Sequence, residues 1–149
     1  MLIKTHLLMG LAGALFFLPN VTYKTAFFIV VLLATLMPDI DSVRSIPGNH
    51  WYLRPFQWAT KHRGLLHSFT FCILVSLFFA FLIPILALPF FLGYSIHLFA
   101  DGFTQEGIRP FWPLKDEVKG KVHVGGNVER GLFYGVILAD IILIVRLFI

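Results

Sequence analysis

LATLMPDIDSVRS, residues 33–45, is the stretch on which the reading of the whole chain turns. An apolar run ends there on Asp39 and Asp41, one residue apart, where a helix is expected to finish. A helix carboxyl terminus carries about half a negative charge, so each carboxylate there is disfavoured by roughly 0.3–1 kcal/mol. Near a bilayer core an ionised carboxylate is costlier still. Two carboxylates so placed call for a compensating cation. Pro38 disfavours helix at Met37, so P-D-I-D is expected to be turn-like or extended. In the extended case Asp39 and Asp41 face one side and Ile40 the other.

The composition sets the context. Of 149 residues, 58% are hydrophobic and only 13% charged, with 17 phenylalanines and a mean hydropathy of +0.82. Soluble domains are nearer half apolar and a quarter charged. The length suits one domain, residues 1–149. Cys72 is the single cysteine and lies in an apolar run, so neither a disulfide framework nor a thiolate metal site is expected. Lys4 followed by an apolar stretch resembles a signal peptide, but no A-x-A site follows, so an uncleaved helix is expected.

Apolar runs occur at about 5–18, 25–37, 68–83, 86–100 and 131–149. The expected fold is all-α: a polytopic membrane protein with about five transmembrane helices. Most of the runs fall short of the ~20 residues that span a hydrocarbon core, so tilt, flanking aromatics and local thinning must make up the difference. Pro84 and Pro89 predict a tight turn between the third and fourth helices. With five crossings, ten cations fall on the face of the amino terminus and of the loops 39–67 and 101–130, and only Lys24 and Arg146 on the other. The positive-inside rule then makes the amino terminus and both loops cytoplasmic.

The residues with chemical potential share that face. His6 opens the first helix, Asp39 and Asp41 close the second, His62 and His67 lead into the third, and His97 and Asp101 close the fourth. Gly93, His97 and Asp101 recur at intervals of four and form one helical stripe. Imidazole mixed with carboxylate suits zinc, manganese or iron, whereas calcium and magnesium favour all-oxygen sites. One or two divalent transition-metal ions per chain are therefore expected at these helix ends.

Three motifs in order carry a family resemblance: PDIDS (38–42), HRGLLHS (62–68) and GYSIHLFADGFTQEGIRPFWP (93–113). The chain resembles the LexA-binding, inner-membrane-associated family of membrane-bound metal-dependent hydrolases, over about residues 5–113. That resemblance implies His6, Asp39, Asp41, His62, His67, His97 and Asp101 as metal-site residues. Arg63, Thr104 and Gly107 also match its motif positions. It implies a location in the inner cell membrane.

Seven candidate ligands exceed the three or four of a mononuclear catalytic zinc site, so either two ions share them or some orient the others. Metal-activated water acting on a phosphoester is the favoured chemistry. Asp41, Asp101 and Arg63 are its catalytic candidates, with Asp41, Asp101 or Glu129 open as general base. Arg63, Arg109 and Lys115 suit phosphate neutralisation, although the same cations serve membrane orientation and lipid headgroups. A site at interface depth favours an amphipathic or lipid-phosphate substrate, with membrane lipid as partner. No DNA-binding or base-stacking motif accompanies the basic loops, so no nucleic-acid partner is expected. The alternatives are a transporter or metal-handling protein, to which Asp140 in the last apolar run points, or a non-catalytic scaffold stabilised by its metal.

Overall fold

In the computed structural model the described residues are 1–41, 50–51 and 64–149. They contain five α-helices: α1 (Ile3–Phe17), α2 (Lys24–Leu36), α3 (Phe69–Leu82), α4 (Pro84–Gly102) and α5 (Asn127–Phe148). Each falls within a few residues of an apolar run. The helices α3 and α4 are separated by Ile83 alone, and Pro84 takes the first position of α4, where a missing N–H removes no helical bond. This is the tight turn expected from the two prolines.

The class is helical, but the expectation of about five transmembrane helices is corrected. Among the described residues two helices are long and apolar enough to cross a membrane, α4 and α5. The physical reason is length. With 15, 13 and 14 residues, α1, α2 and α3 extend only ~20–22 Å at 1.5 Å per residue, against a hydrocarbon core of ~30 Å. By contrast α4 has 19 residues and α5 has 22.

The core forms where α4 meets α2 and α3. Ala34, Cys72, Phe90, Tyr94, Leu98 and Ile108 are buried together there. Gly93 permits the closest approach: a Cβ at this position would lie 2.2 Å from the Val31 carbonyl oxygen. Gly10 does the same for α1, whose added Cβ would meet Thr35 Oγ1 at 2.6 Å. Small residues that let backbones approach are the usual basis of helix association in an apolar medium. The last helix is different. It packs on α1 and leaves Leu138, Ile141, Ile142, Val145 and Phe148 exposed. A row of exposed apolar side chains of this extent suits a lipid environment.

Two features tie the amino ends of α1 and α5 to each other. Glu129 is buried in the first turn of α5. Its Oε1 accepts from the Leu2 backbone N–H at 2.7 Å and from Thr5 Oγ1 at 3.0 Å, and its Oε2 from the Gly125 N–H at 2.6 Å. Lys4 lies over the Phe133 ring at 5.2 Å. After α4 the chain returns through 103–126, pinned by backbone pairing of Thr104 with Val122 and of Ile108 with Val118.

Two predictions follow from the packing. Gly93→Ala is expected to destabilise the protein by about 1–3 kcal/mol through overpacking. Gly135→Ala, where nothing among the described residues lies within 4 Å of the added Cβ, should be neutral or stabilising by up to about 1 kcal/mol. Equal denaturation midpoints for the two variants would refute this account of the α2–α4 contact. Separately, Asp140 is buried on α5 with neither carboxylate oxygen hydrogen-bonded among the described residues. Asp140→Leu should therefore raise thermal stability, by about 1–3 kcal/mol, by removing an unsatisfied polar group.

Candidate metal centre

The ends of four helices converge, and each end is shaped by local sequence. Pro38 stops α2, and Met37–Asp41 turns into a 3-10 helix that carries Asp39. This is the turn-like alternative; the extended arrangement of Asp39 and Asp41 is not formed. Ser68 caps α3, accepting from the Phe71 N–H at 3.2 Å. That cap fixes His67 immediately before the helix. The segment ahead of it is anchored by Tyr94, whose hydroxyl donates to the Leu66 carbonyl at 2.5 Å. At the end of α4, Thr104 Oγ1 donates to the Asp101 carbonyl at 2.7 Å. Gly107 follows at φ 67°, a left-handed turn that suits glycine. Thr104 and Gly107 thus shape the chain just beyond Asp101.

Five of the seven predicted ligands come together: His6, Asp39, His67, His97 and Asp101. Four of their atoms form a ring. His67 Nε2 lies 3.8 Å from both Asp39 Oδ1 and Asp101 Oδ2, and His97 Nε2 lies 3.8 Å and 3.6 Å from the same two oxygens. Nitrogen and oxygen ligands at ~2.0–2.1 Å around a tetrahedral ion would lie ~3.4 Å apart, a spacing these four adjacent separations approach, and His67, His97 and Asp101 have ligand atoms all within 4.8 Å of one another. His6 adds a second, overlapping set. Its ring stacks on His97 with centroids 3.9 Å apart, and one ligand atom from each of His6, Asp39 and His97 falls within 4.8 Å of the others. Asp101 uses its two oxygens differently: Oδ2 faces the ring, while Oδ1 lies 3.2 Å from His6 Nε2 and 2.5 Å from the Met1 amine.

Local chemistry prepares the imidazoles as donors of lone pairs. Thr35 is in the last turn of α2, where carbonyls lose their helical partners. Its oxygen takes the proton of His97 Nδ1 at 2.8 Å. That bond fixes the tautomer and leaves Nε2 with its lone pair directed into the ring. Nε2 has no hydrogen-bond partner among the described residues, nor does His6 Nδ1. Buried polar atoms of this kind are uncommon without a ligand. The five side chains are almost fully enclosed, Asp39 being the most exposed at 15%.

Burial, reinforced by the neighbouring His97, lowers the His6 pKa to about 4, against the opposing pull of Asp101. Burial pushes Asp39 upward, but the neighbouring imidazoles of His67, His97 and His6 outweigh it and hold the carboxyl below its usual range. Both shifts favour the forms that ligate a cation, neutral imidazole and ionised carboxylate.

Other predicted residues stand elsewhere. His62 and Arg63 lie outside the described residues, as does the side chain of Asp41. Arg109 is engaged by Glu117 through Nε at 3.0 Å and Nη2 at 2.7 Å, on an exposed loop. Glu129 accepts three hydrogen bonds, two from Leu2 and Thr5 at the start of α1 and one from Gly125. Sequence reasoning missed the Thr35 carbonyl and Tyr94. Thr35 sits four residues before Asp39, in the turn that Pro38 cuts short, which was the available signal.

The chain belongs to the YdjM inner membrane protein family. That family's model matches residues 1–146, nearly the whole length. No curated protein and no solved structure matches. The family's description assigns it to the inner membrane, in keeping with the two long apolar helices, and names no reaction.

The shifted histidine predicts a pH dependence. The folded protein binds a proton on His6 only near pH 4, whereas the unfolded chain does so at 6.5. The stabilisation is therefore complete above 6.5 and is lost as pH falls toward 4, by about 3 kcal/mol in the metal-free protein. His6→Gln, which stays neutral, should flatten that part of a stability-against-pH profile. A profile identical to that of the unsubstituted protein would contradict the assignment.

Proposed function

We propose that the cluster binds one or two divalent transition-metal ions, zinc, manganese or iron, and that the protein is a metal-dependent hydrolase of the inner membrane. The observation that carries this reading is the buried ring of His67, His97, Asp39 and Asp101, with His97 Nε2 lacking a hydrogen-bond partner among the described residues. A bound ion of this class supplies Lewis acidity and brings the pKa of water toward ~7.

The protein's own groups divide the remaining tasks. Thr35 orients His97, and His6 steadies the outer oxygen of Asp101 while its inner oxygen faces the ring. Asp101 is placed to hold a proton beside the reacting centre, and Asp41 is the second carboxylate proposed for that work. Arg63, between the two motif histidines, is proposed to bind the anionic group of a phosphoester. The substrate class is an amphipathic or lipid phosphate, because the cluster lies at the carboxyl end of α4, a helix suited to crossing the membrane. We place the cluster on the cytoplasmic side of a protein that crosses the membrane more than once. The cluster-side ends of α4 and α5 are joined by a segment carrying Arg109, Lys115, Lys119 and Lys121, with Arg130 in the first turns of α5, while Arg146 is at the far end of α5.

A transport or metal-handling role is the second reading, favoured by the buried carboxylate of Asp140, which has no hydrogen-bond partner among the described residues. A non-catalytic scaffold would hold the same ion with every coordination position closed.

Elemental analysis of the detergent-solubilised protein tests the proposal. One or two transition-metal ions per chain are expected, lost in Asp39→Ala and in His97→Ala, together with phosphoesterase activity that disappears in the same variants. Failure to retain a metal under zinc, manganese and iron loading would refute the hydrolase. Metal retention without hydrolysis, with ion flux into liposomes that Asp140→Asn abolishes, would establish the transporter instead.

A further inference from the structure

A second site lies on another face of α4. A groove of about 730 Å³ runs along this helix, walled by Phe69 and Ile73 of α3 and by Phe91, Leu98 and Phe99 of α4, and reaches Lys119 in the returning segment. The volume is that of an ordinary ligand pocket. Among the described residues its lining is apolar throughout except for Lys119, the one charged residue in it. Leu98 and Gly102 each follow a cluster residue, His97 and Asp101, by one position. One position is ~100° around a helix, so groove and cluster occupy different faces of α4.

Position and charge identify the occupant. From Phe91 to Phe103 the groove follows α4 for ~18 Å at 1.5 Å per residue, about one leaflet of a ~30 Å core. A groove open along a helix of membrane-crossing length faces acyl chains. Its charged end lies in residues 108–121, where four cations outnumber two carboxylates. Within that segment Glu117 is shared by Arg109 at 2.7 Å and Lys119 at 2.6 Å, which leaves the trio with a net positive charge. All three side chains are at least a third exposed.

We propose that this groove binds one acyl chain of an anionic phospholipid, with the headgroup phosphate on Lys119. The inference goes beyond the hydrolase reading and does not depend on it. A lipid tail gains no hydrophobic free energy by leaving the bilayer for an equally apolar groove. Discrimination among lipids must therefore come from the charged end. That separates a specific site from an ordinary solvating lipid.

The test is native mass spectrometry of the full-length protein in detergent, titrated with phosphatidylglycerol or phosphatidylcholine of matched chains. One phosphatidylglycerol per chain is expected, retained at least about tenfold more strongly than phosphatidylcholine. Lys119→Glu, on the surface, should abolish the preference. Ile73→Trp, which fills the groove, should lower retention of both lipids about fivefold or more. Should Ile73→Trp not fold, Lys119→Glu decides alone. Equal retention of the two lipids, or a preference unchanged in Lys119→Glu, would overturn the proposal and leave only solvating lipid. Metal content measured on the same samples should be unaltered by either substitution. Joint loss of lipid and metal would make the groove part of the cluster and overturn the proposal as well.

Discussion

The contact between α2 and α4 is the constraint on which the site depends. Gly93 lets the two backbones meet, with no room for a Cβ beside the Val31 carbonyl. One turn further along, the same approach brings His97 Nδ1 to the Thr35 carbonyl at 2.8 Å. A further turn brings Asp101 beside His97 and opposite Asp39. Spacing of four residues along α4 thus translates one close backbone approach into an oriented imidazole and a facing pair of carboxylates. The carbonyl that orients His97 is available because Pro38 ends α2 where it does. Backbone, cap and ligand are parts of one arrangement.

The cluster also accounts for carboxylates at places where helix dipoles disfavour them. Asp39 and Asp101 both stand at or near carboxyl ends of helices, and both are surrounded by imidazoles. Burial meanwhile suppresses protonation of His6, and the carboxyl of Asp39 is held below its usual range. A cation in the ring relieves both sides at once. The same logic separates Asp39 and Asp101 from Glu129. This carboxylate sits at an amino end, favoured by the dipole, and it is satisfied by three donors.

The relation to the membrane is uneven. Among the described residues only α4 and α5 have the length to cross it, and their surroundings differ. The first is half enclosed by α2 and α3, carries the cluster on one face and the groove on another. The second presents almost all its apolar surface outward and touches the rest through α1. Short helices beside long ones put the cluster at an end of the bundle, close to the polar segment 103–126.

Much of the site was legible in the sequence because it is encoded locally. The interval of four between Gly93, His97 and Asp101 determined a common face, and Pro38 determined the end of α2. The common side of His6, Asp39, His67 and Asp101 followed from the alternation of helices, which local hydrophobic runs specify. The number of crossings was not legible: an apolar run signals a buried or lipid-facing helix equally well, and only helix length and surroundings distinguish them. The roles of Thr35 and Tyr94 were likewise invisible, since a backbone carbonyl and a phenolic hydroxyl acquire meaning through partners 62 and 28 residues away. Sequence by itself determined which residues stand at the ends of helices, because caps, prolines and periodicity act over a single turn. Which of those residues meet, at what distance and in which tautomer was decided only by tertiary packing, because it depends on how closely α2 and α4 approach.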